Sequence, residues 1–446
     1  MELNSQQEKC RKAILQGENV VVFGQAGCGK TTFIDIIARE LRGTGYTVQI
    51  TSMTAISAIP IGGITLHKFL GIPENPISIK KIHGFGKNVW KRIAGTDILI
   101  IDEASMCDEE MFEVLSSVTF AAKNSLRPTD KIFGGMQIII FCDLKQLSPV
   151  KPKTRISFGT ITSGTETAQP IPVKYNGTYF ISADSFVAGN FHLIEFTEVY
   201  RQVDPQFLEI LKNMRVNRLT ENDLATLKSR CIDNFPDADV ENMIQLYPNN
   251  GSVNATNRSK VAELPGDLIV IPADGAKNKN NASILKDLEK ISLDVIETKI
   301  GAEMMIRKNI DAAKHLVNGK RGILHSIGYT STGAIETLNL EIDGVVHPIK
   351  KYVYNAPVSG AKLMQFPITP AYAFTIHKAQ GAQYDENVFI NFCNTNEPHI
   401  HYVAISRVTS LDKLYLANFE SAKIRLHPDL VKIENEKEKY FKAIIE

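Results

Sequence analysis

The sequence has few cysteines and no long apolar run. Six cysteines are scattered over 446 residues, with no C-x-x-C pair and no histidine at zinc-ligand spacing. This argues against a disulfide scaffold or a zinc module and favours reduced thiols in a cytoplasmic or nuclear-type compartment. There is no secretory leader and no apolar stretch of the roughly 18 residues that a membrane-spanning helix needs. We therefore expect a soluble intracellular protein.

Net charge is also nearly absent. Lys and Arg total 50 against 49 Asp and Glu, which leaves a net charge of +1. A nucleic-acid partner would therefore have to bind local patches and could not rely on a global positive field. Two basic stretches are candidates, Lys80 to Arg92 and Arg307 to Arg321. Such stretches are commonly solvated surfaces, so neither establishes binding alone. The length predicts about three domains.

The clearest chemical signal is a phosphate-binding loop near the amino terminus. Gly24 to Thr31 reads GQAGCGKT and fits G-x-x-x-x-G-K-[ST]. An apolar β-type run precedes it and a helical apolar pattern follows, so the helix directs its positive end at the loop. An ordinary glycine turn is the alternative, but it does not explain this setting. The predicted nucleotide-binding residues here are Gly24, Gln25, Ala26, Gly27, Cys28, Gly29, Lys30, Thr31 and Thr32.

A pair of carboxylates supplies what a triphosphate site also needs. Asp102 and Glu103 close the hydrophobic segment LIIDE. Lys30 would reach the β- and γ-phosphates, while Thr31 and Asp102 would hold Mg²⁺ from opposite sides. Glu103 is the natural base for an attacking water. A helix N-cap is the usual role of an isolated Asp-Glu pair, but the preceding P-loop favours catalysis.

The pattern along the chain predicts an α/β fold. Residues 1–150 alternate helix-like and short β-like segments, which indicates a parallel sheet covered by helices on both faces. The strand in MQIIIFCDLKQLSPV places Asp143 and Gln146 at its end. Residues 151–180 are predicted to be a long loop or surface hairpin. Short β-type runs in 322–365 predict a small β-barrel, and the last residues predict a charged amphipathic helix.

Further motifs follow in a fixed order. They are Tyr200-Arg201-Gln202, AYAFTIHKAQGAQYD from Ala371, and YVAISRVTS from Tyr402. With the P-loop and the two carboxylates, they resemble the ordered motifs of superfamily-one helicases. The similarity is closest to the Pif-type (petite integration frequency), RecD-like branch. The segments LNSQQ, IGGITLHKF and IGAEMMIRKNI are similar to further landmarks of that family. Departures are modest: Cys28, Cys142, Ser148 and Tyr372 stand where other residues are usual.

The resemblance implies two RecA-like P-loop domains with parallel sheets around one ATP site. The first would span residues 1–200 and include a small wedge region at about 73–95. The second would comprise 201–321 and 366–446, interrupted by a β-rich, SH3-like insertion at 322–365.

The resemblance also implies roles for individual residues. Gln7 would read adenine, Gln146 would sense the γ-phosphate, and Arg201 and Arg407 would reach that phosphate across the cleft. Gln380 and Gly381 would relay the nucleotide state to the DNA. The implied catalytic residues are Lys30, Glu103, Gln146, Arg201 and Arg407. The implied DNA-binding residues are Thr54, Thr65, His67, Phe69, Thr375, His377 and Lys378. His67 and His377 have an alternative interpretation as buried, hydrogen-bonded histidines.

The function implied is an ATP- and Mg²⁺-dependent DNA helicase that acts as a monomer in DNA replication, repair or recombination. It would move 5′-to-3′ on single-stranded DNA and unwind forks, tailed duplexes and G-quadruplexes. Two alternatives stay open. One is a motor that translocates or displaces proteins with little unwinding, and the other is a nucleotide-gated DNA-binding module without turnover. The intact set of charged catalytic residues argues against the second.

Overall fold

The computed structural model describes most of the chain. The described residues are 3–25, 27–58, 61–72, 87–149, 162–163, 166–167, 178–200, 204–275, 295–308, 310–311, 314, 316, 319–355, 362–380 and 382–445. Ala26, Arg201, Gly381 and most of the predicted wedge and 151–180 segments lie outside these ranges.

The helices and strands alternate over the amino-terminal part and the described chain is richer in strands after residue 269. The α-helices are α1 Ser5–Leu15, α2 Lys30–Gly43, α3 Ala55–Ala58, α4 Leu66–Leu70, α5 Lys87–Ala94, α6 Glu109–Asn124, α7 Asp184–Ala188, α8 Pro205–Arg215, α9 Glu221–Ser229, α10 Asn250–Glu263, α11 Ile400–Ile405 and α12 Pro428–Asn435. Short 3₁₀ turns lie at Ala104–Met106, Ile132–Gly135, Phe180–Ser182, Ile232–Asn234, Val240–Asn242, Leu411–Lys413, Ser421–Lys423 and Lys437–Lys439. The strands are β1 Val20–Gly24, β2 Val48–Ser52, β3 Ile64–Thr65, β4 Ile98–Asp102, β5 Gln137–Cys142, β6 Thr162–Ser163, β7 Glu166–Thr167, β8 His192–Phe196, β9 Ile244–Tyr247, β10 Ile269–Pro272, β11 Asp274–Gly275, β12 Val295–Thr298, β13 Glu303–Ile306, β14 Arg321–Tyr329, β15 Ile335–Ile342, β16 Val345–Lys350, β17 Tyr352–Asn355, β18 Lys362–Gln365, β19 Ile368–Pro370, β20 Ala373–Thr375, β21 Val388–Asn391, β22 Leu414–Ala417 and β23 Ala443–Ile445.

A seven-stranded parallel sheet forms the first domain, in the order β23-β8-β1-β5-β4-β2-β3. Its central strands are apolar throughout because helices cover both faces. Along β1 the side chains alternate: Val21 packs into the core on one face, and Val20 and Val22 into the core on the other. The carboxyl ends of β1, β4 and β5 therefore lie side by side, which brings the P-loop, Asp102 and the Asp143 segment to one edge.

The helix starts around this sheet are fixed by side-chain caps. Asn4 and Gln7 form a reciprocal capping box at the start of α1. Asp108 accepts a hydrogen bond from the Met111 N–H and so caps α6. The start of α2 is different, because its N-cap is Gly29, which has no side chain to offer. The first-turn N–H groups of α2 are thus left available to an anion.

A second, four-stranded parallel sheet has the order β20-β9-β21-β22. Its core includes residues from α8 and α11, and Leu147 from the segment after β5 packs into it as well. With two parallel sheets packed against helices, the predicted α/β class is confirmed. Among the described helices, none combines the length and apolar character that crossing a membrane requires.

The β-rich unit is larger than the sequence predicts. Its five-stranded antiparallel sheet, β16-β15-β14-β13-β19, is accompanied by the pair β10-β12 and the three-stranded β11-β18-β17. A separate core joins Ile271 and Ile296 to Leu338 and Phe366. The predicted limits of 322–365 are therefore too narrow, because strands from Ile269 onward are needed to close this core. The SH3-like character of the unit stays a prediction.

The carboxyl terminus returns to the first domain. α12 packs Leu430 and Ile433 into the first core, and β23 adds to the edge strand β8 in parallel. The prediction of a charged helix to the end is wrong, since only Pro428–Asn435 is α-helical and Ala443–Ile445 is a strand. The predicted placement of this tail in the second domain is likewise corrected. The apolar residues of the tail pack against the first domain, in its core and along strand β8.

Candidate active site

The P-loop has the backbone that its glycines predict. Gly27 and Gly29 both have φ of 82°, in the left-handed region where a side chain is strained. Gly24 has a different constraint, because a Cβ there would overlap the Sγ atom of Cys28. The Cys28 side chain is buried and faces the body of the domain. Its Sγ atom accepts a hydrogen bond from Lys30 Nζ at 3.8 Å, so the cysteine lies beside the lysine of the loop.

Lys30 lies across the mouth of this loop. Its Nζ atom donates hydrogen bonds to the carbonyl oxygens of Gly24, at 2.7 Å, and Gln25, at 2.9 Å. Burial alone would lower the pKa of Lys30, but the surrounding acidic groups, which include Cys28, Glu103 and Asp143, outweigh it and raise the pKa. Lys30 is therefore a buried, protonated ammonium held beside the carboxylates.

Asp102 and Glu103 meet Lys30 at the end of β4. Asp102 is buried, and desolvation together with the neighbouring Glu103 raises its pKa to about 7. Its Oδ1 atom accepts a hydrogen bond from the Glu103 N–H at 2.9 Å. Glu103 itself has φ of 51°, which is uncommon for a residue with a side chain. This strained turn directs the two carboxylates differently, with Asp102 retained in the strand and Glu103 facing the second domain.

Residues of the second domain complete the cleft. Gln380 directs its Nε2 atom at Glu103 Oε2 (3.5 Å) and Ser105 Oγ (3.4 Å). Arg407 is 1% exposed, and burial lowers its pKa, partly opposed by the charge of Glu103. Its guanidinium donates to the Val403 carbonyl and the Ser406 hydroxyl. Gln380 and Arg407, to which the resemblance gives roles at the ATP site, thus lie near Glu103.

Two glutamines in the cleft have unused hydrogen-bonding capacity. The Oε1 atoms of Gln146 and Gln380 are buried and make no hydrogen bond within the described part of the chain. Such groups cost about 1–3 kcal/mol each unless a ligand or water satisfies them. Gln380 lies beside Glu103, and Gln146 belongs to the turn that starts at Asp143, so a polar ligand in the cleft would be a suitable partner for both.

One flank of the P-loop carries an aromatic residue, Tyr200, whose role the sequence alone does not predict. Tyr200 is 52% exposed, accepts a hydrogen bond from Asn4 Nδ2 at 2.9 Å, and its backbone N–H donates to the Gly27 carbonyl. Tyr200 and Gln7 both approach Gly29. Its position directly before Arg201 in the sequence was the available signal.

Asp143, Arg215 and Tyr402 form a second group that sequence reasoning missed. The Asp143 carboxylate is fully buried and binds both the Arg215 guanidinium and the Tyr402 hydroxyl. Asp143 was noted only as a polar strand end, and no pattern connected it with the other two.

The first-domain candidates for DNA binding do not all lie at the surface. Thr54 bonds to Ser57 at 2.6 Å, and Thr65 caps α4 by accepting from the Lys68 N–H. His67 is half-buried on the same short helix. Phe69 is 0% exposed and lies in the first core, so its prediction as a DNA-contacting residue is wrong. Its position in the IGGITLHKF segment reflects packing of α4 against the sheet.

The second-domain candidates lie together after β20. Thr375 accepts from the Lys378 N–H at 3.3 Å, and His377 Nε2 is 3.0 Å from Glu397 Oε1. Lys378 is exposed, and partial desolvation and the neighbouring Arg307 both lower its pKa. Two neighbouring cations, one of them exposed, give this surface a local positive charge that suits an anion. His377 is bonded as the alternative interpretation required, yet 28% of its side chain is exposed.

Comparisons with known proteins agree with this arrangement. A sequence model of the PIF1-like helicase family matches residues 2–164. The chain is 29% identical to "ATP-dependent DNA helicase PIF1" of Danio rerio over 438 residues, which cover 96% of this chain and 63% of that protein. It is 28% identical to "ATP-dependent DNA helicase Pif1" of Bdellovibrio bacteriovorus, with 97% of this chain and 91% of that protein covered. The chain thus spans less than two thirds of the first of these relatives.

A solved structure shares the whole architecture. A Pif1 helicase from Bacteroides, in complex with ADP-AlF3 and single-stranded DNA, has a TM-score of 0.75 and 26% identity, covering 98% of this chain and 97% of that one. The resemblance predicted from the motifs is therefore confirmed, together with the fold of two P-loop-type α/β domains.

Proposed function

We propose, from the likeness to Pif1-type helicases and from the geometry of the cleft, that the protein is an ATP-dependent DNA helicase. It would move 5′-to-3′ on single-stranded DNA and couple ATP hydrolysis to unwinding. One observation carries the proposal: in one cleft, Glu103 of the first domain contacts Gln380 of the second, and its charge acts on both Lys30 and Arg407. A cleft that needs both domains links hydrolysis to domain movement.

The triphosphate would lie in the P-loop, on the first turn of α2. The backbone N–H groups of residues 27–31 and the Lys30 ammonium suit its charge, and Lys30 would exchange its carbonyl partners for phosphate oxygens. On the flank, Gln7 and Tyr200 suit the base: one offers an amide for hydrogen bonds and the other an exposed aromatic face. These two side chains suit adenine, and they would also accept other nucleotide bases.

The residues present fit Mg²⁺ bound with a triphosphate. Among the described residues, no cluster of three or more His, Cys, Asp or Glu could hold a metal ion. Mg²⁺ needs no such cluster, because it commonly takes one carboxylate, phosphate oxygens and waters. Thr31 and Asp102 supply a hydroxyl and a buried carboxylate, and a nearby cation would favour the ionised form of Asp102. Bound there, Mg²⁺ would neutralise charge on the β- and γ-phosphates.

Hydrolysis would proceed by attack of water on the γ-phosphate. Glu103 would accept the proton of that water. The unpaired Oε1 atom of Gln146 would accept a hydrogen bond from the water, and its amide N–H would donate to a γ-phosphate oxygen. Arg407 would stabilise negative charge from the second domain, and Arg201 would do so as well, although it lies outside the described residues. An arginine of this kind contributes about 10³–10⁵ in rate. Gln380, with Gly381, would report the state of Glu103 to the DNA surface.

Single-stranded DNA would cross both domains above this cleft. Thr54, Thr65 and His67 on the first domain, and Thr375, His377 and Lys378 on the second, would contact its phosphates and bases. Lys378, an exposed cation beside Arg307, supports this assignment most directly. Such contacts give sequence-tolerant binding because they do not read base edges. In this proposal the first domain spans residues up to about 200 and the second most of the remainder.

Single-stranded DNA is expected to stimulate ATP hydrolysis strongly. A strand that bridges both domains favours the closed cleft and brings Arg407 to the γ-phosphate. Binding should weaken with salt at a slope of the order of a few phosphates, because the net charge is only +1. The measurement is steady-state ATPase against oligonucleotide concentration at several salt concentrations. An unchanged ATPase rate would favour the nucleotide-gated binding module.

His67→Ala and His377→Ala are expected to reduce this stimulation more than the basal rate. Each histidine lies away from the P-loop but on the face assigned to DNA. The test compares ATPase with and without saturating single-stranded DNA, and His325→Ala, on a strand of the β-rich unit, is the control. Equal loss of basal and stimulated rates would instead identify the two histidines as structural, in agreement with the bond from His377 to Glu397.

A motor that translocates without appreciable unwinding is the second candidate. The structure favours it in one respect. Of the predicted wedge at about 73–95, the described part α5 packs Ile93 and Ala94 into the first core. Trp90 donates a hydrogen bond to Ser125 on α6. This helix is therefore engaged in the domain and is not available as a projecting wedge.

A further inference from the structure

A buried carboxylate connects the two domains beside the ATP cleft. Asp143 follows β5 of the first sheet and is 0% exposed. Its Oδ1 atom accepts hydrogen bonds from Arg215 Nε at 3.2 Å and Arg215 Nη2 at 3.0 Å. Its Oδ2 atom accepts one from the Tyr402 hydroxyl at 3.1 Å. Arg215 ends α8 and Tyr402 belongs to α11, and both helices pack in the core of the second domain.

The charges at this junction support one another. Burial would raise the pKa of Asp143, but Arg215 and Lys30 outweigh it and hold the pKa below its usual value. Burial likewise opposes the charge of Arg215, and Asp143 in turn raises its pKa. Asp143 is thus ionised at neutral pH and compensated mainly from the opposite domain. Separating the domains would leave a buried carboxylate without its main partner.

Two members of the junction, Asp143 and Tyr402, are attached to segments of the ATP site. The turn that starts at Asp143 also carries Gln146, whose N–H donates to the Asp143 carbonyl at 2.9 Å. Arg407 follows Tyr402 at the end of the same short helix and binds the Val403 carbonyl. A shift at Asp143 would therefore move Gln146, while a shift at Tyr402 would move Arg407.

We propose that Asp143, Arg215 and Tyr402 form an interdomain latch that aligns the two halves of the ATP site. Asp143 is its positioning residue: it acts through Gln146 and Arg407 and needs no contact with the nucleotide. The inference rests on the proposed ATPase function and goes beyond it, because it assigns alignment of the closed cleft to residues outside the catalytic set.

Other roles explain the geometry less well. A buried ion pair is poor at increasing stability, since apolar residues of similar size are often equally good or better. A buried ion pair is better attested as a means of fixing one arrangement of two structural elements, because the two charges are paired only in that arrangement. Asp143 binds Arg215, 72 residues away in the sequence, and Tyr402, 259 residues away. Both partners belong to the other domain, so these contacts suit the role of fixing one arrangement of the two domains.

The test compares Asp143→Asn, Asp143→Asn with Arg215→Met, and Tyr402→Phe in the full chain. We expect the first two to lower the DNA-stimulated kcat by about 10²-fold, the cost of a small misplacement of catalytic groups. The dissociation constant for ATP should stay close to the parental value. Tyr402→Phe removes one hydrogen bond and should lower kcat less, again with ATP affinity kept. The double variant removes both charges, so no buried charge is left without a partner to disturb folding. A loss of kcat in this variant would therefore report the loss of alignment.

Glu434→Gln is the matched control. Glu434 binds Lys145 Nζ at 2.7 Å, so it touches the same turn, but α12 packs on the first domain. The control should keep the parental kcat. Spin labels at the exposed Arg39 and Arg258 would report the interdomain distance with ADP–aluminium fluoride and single-stranded DNA bound. We expect a broader distance distribution in the latch variants and a parental one in the control.

Each outcome decides the proposal. Folded latch variants with parental kcat and parental distances would overturn it, as would a control as impaired as they are. If the Asp143 variants do not fold, Tyr402→Phe decides by its kcat. If the parent shows no ATPase, the proposed function fails, and the distance measurement still tests the latch.

Discussion

Lys30→Ala should abolish ATP turnover while the protein stays folded. The expected loss in kcat is at least about 10²–10³-fold, the range for removing one charge-stabilising donor from an active site. Lys30 is buried, but the groups around its ammonium are polar. Its ammonium bonds to the Gly24 and Gln25 carbonyls and faces Asp102, Glu103 and Asp143. Truncation should therefore remove the phosphate-binding charge and leave the sheet intact.

The measurement is steady-state ATPase with single-stranded DNA, together with thermal unfolding to establish that the variant is folded. Lys12→Ala is the control, because Lys12 is an exposed lysine on α1, away from the loop. Near-parental hydrolysis by folded Lys30→Ala would contradict the assignment of the P-loop and everything built on it.

Glu103→Gln should separate binding from chemistry. Glutamine keeps the size of the side chain and can still accept a hydrogen bond from Gln380, but it cannot accept a proton from water. The variant should bind ATP and DNA normally and hydrolyse ATP about 10²–10⁴-fold more slowly. The strained backbone of Glu103 supports a functional role, because such conformations persist where the surrounding structure enforces them.

Nucleotide affinity and single-turnover hydrolysis are measured on the same preparation. Glu209→Gln, an exposed carboxylate on α8, controls for the loss of one negative charge. If Glu103→Gln lost affinity for ATP and kept its turnover, Glu103 would be a structural cap, and a different base would be required.

Local signals in the sequence were sufficient for the first half of the site. The P-loop is one continuous segment, and the segment LIIDE ends in the two carboxylates. The order of strand and functional residue can therefore be predicted without a structure. Parallel pairing then brings β1, β4 and β5 together, as strands buried on both faces require. The α/β class was predictable for the same reason.

Contacts between distant segments could not be predicted. Asp143 meets Arg215 and Tyr402 only after both domains have formed, and no periodicity or spacing records such a pairing. The tail was mistaken for a helix because its charges suit one, whereas the edge of β8 recruits Ala443–Ile445 as a strand. Phe69 was assigned to DNA from its motif, although burial in the first core decides its role. In each case tertiary context overrides the local pattern.

Strand displacement on tailed duplexes tests the central claim most directly. One duplex carries a 5′ single-stranded tail, a second carries a 3′ tail, and ATPase is followed in parallel on both. The account predicts ATP-dependent displacement of the strand from the 5′-tailed duplex, with little from the 3′-tailed one and none by Lys30→Ala. ATP hydrolysis stimulated by either tail without displacement would contradict unwinding, and displacement without ATP would contradict the motor.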